Sequence, residues 1–344
     1  MSWTSKLFKS KKDDERGEAA DERIKLPPGC TPDKDNRVQP GEAGYSIIHE
    51  KTGLQIVWVP GTKGLDGRAM LDGGYLMGST PEEVGLQWKE NSWTWEHRSQ
   101  PEQPKHPVEL SAFWMARTEV PNASFQRFAA KSGVKLEGKW AEYNLRGRSN
   151  YPAAGMTWKD AKAFCDWAGL ELPTEAQWEW AARGPEGYTF PWGDNWEKSY
   201  CNNLEASAGS MPTSEDFDRY ISKLNTEAME AKKRGIPYDT SKIILELIKP
   251  IGSFPKDMSW CGALDLAGNV TEWCSDFRSA DYYSHSPKKD PKGPEKGFDR
   301  IWRGGAGNKV AIFCRCANRG MTFSTDTNAN RGFRPCLPAG MPAG

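Results

Sequence analysis

"RIWRGGAGNKVAIFCRCANRG", residues 300–320, joins an Arg-Gly-Gly turn to a Cys-Arg-Cys triplet. Thiols at such a place either perform chemistry or hold a scaffold. A thiol becomes reactive when a cation or a helix N-terminus lowers its pKa. Arg315 stands between Cys314 and Cys316, but in an extended strand neighbouring side chains point to opposite faces. Read as a strand, the segment turns both thiols inward and Arg315 away from them, which makes these cysteines structural. By the same rule Ile312 and Phe313 point to opposite faces, so at least one of them meets solvent.

The whole chain narrows the choice further. Lys and Arg total 46 and Asp and Glu total 46, so the formal net charge is zero. A nucleic-acid binder carries a basic excess, and a neutral chain has no long-range field to steer charged partners. Sixteen Trp, with 34 Gly and 24 Pro, describe irregular backbone pinned by large aromatic side chains. No apolar run is long enough for a membrane span. "MSWTSKLFKSKKDDERGEAADER" at the N-terminus has basic residues but no apolar core after them, so it is not a secretory signal. A cytoplasmic location follows. The eight cysteines contain no Cys-x-x-Cys pair, which argues against structural zinc. In a reducing compartment they are expected as free thiols packed like small apolar groups.

Residues 1–42 are charged and Pro-rich and read as a flexible arm, with the folded domain over 43–338. "YSIIHEKTGLQIVWVPG" alternates and breaks at Pro60-Gly61 as a hairpin, and "GGYLMGST" forms a short strand ending at Ser79. Asn122 is placed to cap a helix carrying Phe125 and Phe128. Thr157 caps "WKDAKAFCDWAG", with Ala161, Phe164, Cys165 and Ala168 on one face and Gly169 as terminator. Thr174 caps "EAQWEWAARG", with Gln177 completing a capping box and Gly184 ending it. Residues 205–247 stand out as an insertion. Phe217, Ile221 and Leu224 recur there at helical spacing, and the apolar "KIILELI" follows. Such a face either packs on the domain or docks a partner.

Few constellations carry chemistry. His49, His97, His106 and His285 show no i, i+4 pairing, so their spacing favours no metal centre. No nucleophile elbow, phosphate loop or dinucleotide fingerprint occurs, and no organic cofactor is expected. In "LDLAGNVTEWCSD", residues 264–276, Asn269, the Val270 carbonyl and Glu272 offer hard oxygens within one turn, the chemistry a structural calcium ion prefers. Asn203 and the Leu204 carbonyl offer a second such set. Alternatively, Asn269 and Glu272 bond to nearby backbone amides and hold the loop alone.

Between 73 and 335 the chain carries, in order, "GGYLMGS", "HPVELSAFWMARTEVPNASFQRF", "ELPTEAQWEWAARG", "FPWGD", "GSFPKD", "GALDLAGNVTEWCSD", "RIWRGG", "CRCANR" and "RGFRP". This series resembles the formylglycine-generating-enzyme (sulfatase-modifying factor) domain. The resemblance implies an α+β, C-type-lectin-like fold with little regular secondary structure, and a calcium ion at the 269–272 loop. It also implies an activity resting on two cysteines. The first of these counts onto Lys309. The second counts forward onto Cys314, or back from "CRCANR" onto Ala311. One sulfur and an ammonium cannot form a copper–thiolate pair, so formylglycine generation is not expected. The His-rich helical bundle of the iron-dependent sulfoxide synthases has no counterpart in the sequence either.

The C-terminal segment further resembles the variable proteins of diversity-generating retroelements, in which adenine-directed mutagenesis rewrites chosen codons on a fixed lectin-like frame. The frame here is Arg303-Gly304-Gly305, Cys314-Arg315, Ala317, Arg319 and Gly332-Phe333-Arg334. The variable segment spans 303–334, and its displayed positions are Gly307, Asn308, Val310, Ile312, Phe313, Met321, Thr322, Phe323, Thr325, Thr327 and Ala329. Randomising the first two bases of an AAC codon never yields Trp, Gln, Glu, Lys or Met. Residues 306–331 contain no Trp, Gln or Glu, with Lys309 and Met321 as exceptions. The expectation is a non-enzymatic binder of a protein ligand, with apolar contact from the displayed surface and hydrogen bonds from Asn308, Thr325 and Thr327. The alternatives are a formylglycine-generating-type oxidoreductase using a cysteine-bound metal, and a catalytically silent regulatory paralogue.

Overall fold

Alternation in "SIIH" and "LQIVWV" places one side of each stretch inside, and these become β2 (Ser46–His49) and β3 (Leu54–Val59), paired antiparallel with Ile47 opposite Ile56. The computed structural model describes residues 26–63, 74–83, 102–144, 146–209, 214–235 and 240–338. Most of the expected arm, 1–25, lies outside the described residues. The boundary at 43 is corrected, because β1 (Cys30–Pro32) already pairs with β2. β6 (Phe113–Ala116) joins β3, and β11 (Cys336–Pro338) joins β6, so the sheet runs β1-β2-β3-β6-β11. A second sheet has the order β10-β7-β8-β9, from β7 (Thr271–Phe277), β8 (Asp299–Arg303), β9 (Gly320–Phe323) and β10 (Arg331–Gly332). β4 (Tyr75–Met77) and β5 (His106–Val108) form a separate ribbon, in which β4 is the expected short strand.

The helices follow their caps. α1 spans Asn122–Lys131, α2 Trp140–Tyr143, α3 Trp158–Ala168 and α4 Glu175–Arg183. Thr157 and Asp160 close a capping box on α3, and Thr174 and Gln177 close one on α4. Gly169 ends α3 in the left-handed conformation (φ 74°). Asn122 does not cap α1, because Pro121 takes that place. Its side chain instead donates to the Arg148 carbonyl (3.0 Å) and accepts from Trp140 Nε1 (2.8 Å). The insertion forms α5 (Leu204–Ala208), α6 (Ser214–Lys233) and α7 (Thr240–Leu247). Leu245, on α7, and the adjacent Ile248 pack against Ala154, Val270 and Ala329, so this end of the insertion sits on the domain. The side chains of Phe217 and Ile221 lie outside the described residues.

Tryptophan pins the interior. Trp178, Trp180 and Trp273 are fully buried, and each indole N–H has a partner: Glu272 Oε2 (2.8 Å), the Pro60 carbonyl (2.8 Å) and the Met156 carbonyl (3.3 Å). A buried indole contributes a large apolar area and stays inside cheaply only when its N–H is bonded. No described helix is long and apolar enough to cross a membrane.

Candidate ligand-binding surface

Buried arginines anchor the C-terminal segment from beneath. Arg303, with no exposed surface, pairs with Glu175 (3.3 Å) and Glu179 and donates to the carbonyls of Cys316 and Ala317 (both 3.0 Å). Arg319 donates to the same Glu175 (2.8 Å). Arg315 grips Glu102 through two bonds (2.9 and 2.7 Å) and the Ile312 carbonyl (3.0 Å). Arg334 grips Glu272 and also donates to the carbonyls of Leu264 (2.9 Å) and Asp265 (3.0 Å). Arg331 lies between the rings of Trp273 and Trp302, 4.8 Å from each. Planar guanidinium groups suit this work, since their fixed fork of donors satisfies carboxylates and carbonyls together.

This frame overturns the strand reading of 311–316. Ala311–Cys314 is a turn of 3-10 helix, and Arg315 is buried rather than facing solvent. Five donors that need partners draw Arg315 inward to Glu102, a residue far away in sequence.

The expected contact residues divide. Gly307, Val310, Ile312 and Ala329 are buried, and they are corrected from surface to core. Val310 and Ile312 are drawn in by the 3-10 turn, and Ala329 lies under α7. Phe323 is 66% exposed and Thr325 is exposed, while Asn308, Phe313, Met321, Thr322 and Thr327 are half-buried. The Lys309 ammonium stands over the Phe313 ring at 5.5 Å. Asn308 Oδ1 accepts from Asn330 Nδ2 at 2.6 Å. Asn308 also borders a cavity of about 190 Å³, walled by Tyr220, Leu224, Ile243, Ile244 and Leu247 of the insertion. The sequence reading did not assign these residues to the site. Their helical spacing was the available signal, and only the fold brings it against Asn308.

The side-chain oxygens expected to hold calcium already have protein donors. Glu272 accepts from Arg334 and Trp178. Asn269 Oδ1 accepts from Asn202 Nδ2 (2.9 Å) and the Lys249 amide (3.0 Å), and its Nδ2 donates to Glu119 (3.0 Å). Asn203 caps α5 by accepting from the Ala206 amide (3.0 Å), and the Leu204 segment is tied by its own N–H to the Lys309 carbonyl (2.8 Å). A divalent ion competes poorly with an arginine already seated on the one charged ligand of the set. The side chains of Asn269, Glu272 and Asn203 are thus engaged in holding their own loops. The described histidines do not converge: buried His49 bonds Thr52 (2.8 Å), His106 meets the Pro104 carbonyl (2.9 Å) and His285 packs on Tyr282. His97 lies outside the described residues.

The thiols are buried too. Burial pushes the Cys316 thiol well up, against the smaller opposing pull of Arg183. Cys314 lies in a buried apolar cluster with Cys201 and Ala267, packed by Trp192 and Trp196. Sequence reading missed Cys201 because 113 residues, 201 to 314, separate the partners.

The model of the sulfatase-modifying factor enzyme 1-like domain matches residues 66–337. The chain belongs to this family. Within the sulfatase-modifying factor family, the formylglycine-generating enzyme of Streptomyces coelicolor is 29% identical over 294 residues, covering 71% of this chain and 83% of that protein. PvdO from Pseudomonas aeruginosa has a similar fold, with a TM-score of 0.60 at 22% identity over 86% of this chain and 99% of its own. Treponema denticola variable protein 1 matches with a TM-score of 0.55 at 18% identity over 91% of this chain and all of its own. At these identities the two structures bear on the fold alone. The sulfatase-modifying factor domain here is thus α+β and C-type-lectin-like.

Proposed function

We propose that the protein is a non-enzymatic binder that displays a changeable C-terminal surface to a protein ligand. The observation that carries this reading is the partition of 303–334. Arg303, Arg315, Arg319, Phe333 and Arg334 are locked inside, while Asn308, Phe313, Thr322, Phe323, Thr325 and Thr327 reach solvent. An exposed phenylalanine beside small hydroxyl side chains suits recognition, where aromatic anchors supply energy and hydroxyls supply register. The fold shared with a protein named as a variable protein supports the reading. A zero net charge and no apolar transmembrane helix among the described residues fit a cytoplasmic protein that avoids nucleic acid.

A library randomised at the six solvent-reaching positions tests the proposal. Most members should melt within a few degrees of the parent, and selection on protein targets should yield binders. A library that largely fails to fold would overturn it. In the flanking DNA, an imperfect copy of the segment coding for 300–336, differing mainly at adenines, is the expected genetic counterpart.

A second reading, a formylglycine-generating-type oxidoreductase, draws support from the family and from the Cys201–Cys314 contact. Conversion of a cysteine in a sulfatase-derived peptide to the aldehyde by the purified protein would establish that reading in place of the first.

A further inference from the structure

Cys201 and Cys314 are brought together by backbone as well as by packing. The Leu204 amide donates to the Lys309 carbonyl (2.8 Å), the Ala311 amide donates to Glu205 Oε1 (3.3 Å), and the Asn269 amide donates to the Asn202 carbonyl (2.9 Å). These bonds stitch 202–205 to 309–311 and to the 269 loop, so the stretches carrying the two cysteines are held beside each other. Both side chains are fully buried and sit in one cluster packed by Trp192 and Trp196. Asn203 Nδ2 approaches Cys201 Sγ at 3.5 Å and holds that sulfur's orientation. Gly305 lies so close that a Cβ there would meet Cys314 Sγ at 2.9 Å.

We propose that Cys201 and Cys314 are a cross-linking site, closed to a disulfide by exchange with a small oxidised disulfide such as glutathione disulfide. Sulfurs packed in one buried cluster, on stretches already tied together by backbone, need only local adjustment to close to a bond of about 2.05 Å. In the first step one protein thiolate attacks a sulfur of the small disulfide, forming a mixed disulfide and releasing one small thiolate, which takes up the proton. The second protein thiol, as its thiolate, then attacks the protein sulfur of the mixed disulfide and expels the second small thiol. One disulfide forms and one is reduced, two protein thiols being exchanged for two small ones. Burial disfavours the Cys201 thiolate, so exchange is slow and waits for local opening. The link would fasten the Ala311–Cys314 turn, with Ile312 and Phe313, to the start of the insertion. It does not depend on what the displayed surface binds.

Full-length protein, incubated natively with glutathione disulfide, blocked with N-ethylmaleimide and digested without reductant, tests this. A peptide containing Cys201 should appear joined to one containing Cys314, and the oxidised protein should melt about 5–10 °C above the reduced form, because a long loop is closed. In Cys201→Ser, the same treatment should produce neither the linked peptide nor this rise. Recovery of both residues only as the maleimide adducts, after full equilibration with the oxidant, would overturn the proposal. That comparison uses only the unmodified chain, so a variant that fails to fold does not blunt it. Failure of the link leaves the binding reading intact, and failure of the library leaves the link intact.

Discussion

Arg334 grips Glu272 through both carboxylate oxygens, Nε to Oε2 at 2.6 Å and an Nη to Oε1 at 2.7 Å, with both side chains buried. A pair removed from water this way is held by its mutual geometry, and the loss of one partner leaves a bare charge. Arg334→Ala should therefore lower stability by about 3–5 kcal/mol, read as a shift of the urea midpoint. Chelation with EDTA should leave the melting temperature of the wild type unchanged. A drop of several degrees would return calcium to the 269–272 loop.

Displayed and buried positions of the same segment should respond very differently. Phe323→Ala removes an exposed ring and should change stability by no more than about 0.5 kcal/mol. Ile312→Ala, five percent exposed, opens a cavity and should cost about 2–5 kcal/mol. Equal costs in equilibrium unfolding would contradict the division of 303–334 into frame and surface.

Asp276 gives stability a pH slope. Burial, then the nearby Glu175 carboxylate, raises its carboxyl from 3.8 to about 7. The folded state keeps a proton that the unfolded chain has released, so stability is fullest below about pH 4 and falls as pH climbs towards about 7. One such group accounts for up to ~4 kcal/mol over that window. The buried Glu119 and Asp265 are also raised by burial and act in the same direction, whereas Glu179, lowered by Arg303 and Arg183 against its burial, acts in the opposite one. Asp276→Asn should gain on the wild type steadily from pH 4.5 to 7 in thermal melts. A constant difference across that range would show that Asp276 does not titrate there.

A Cβ built at Gly320 would run into the six-membered ring of Trp302, at Cζ2, Cη2 and Cε2. A methyl group at this point must displace the indole that stacks on Arg331. Gly320→Ala should cost about 1–3 kcal/mol by overpacking, seen as a lower melting temperature and a changed near-ultraviolet circular dichroism spectrum. An unshifted melting temperature would mean that the ring moves aside freely.

What the sequence revealed was local. Thr157 as a cap and Thr174 with Gln177 as a capping box were legible because a cap and its partner lie within one turn, and only the structure added Asp160 as the partner of Thr157. The hairpin of β2 and β3 is equally self-contained. Asn122 misled because a good capping residue followed Pro121, which took the cap itself. Long-range partners were invisible: Glu102 with Arg315, 213 residues apart, and Cys201 with Cys314. The first of these pairs is what bends Arg315 inward, which undid the strand reading and buried Ile312 with it. The frame arginines could be located by their order along the chain. Their carboxylate partners could not, since charged residues crowd every loop.

β11 pairs with β6 in the five-stranded sheet, so residues 336–338 cover one edge of a strand made more than two hundred residues earlier. During synthesis that edge stays open until the segment between them has been translated in frame. A chain broken by a stop or frameshift anywhere in 303–334 arrives without its closing strand, with β6 offering unpaired amides and carbonyls to proteases. The architecture thereby proofreads the very stretch of message in which change is expected to concentrate.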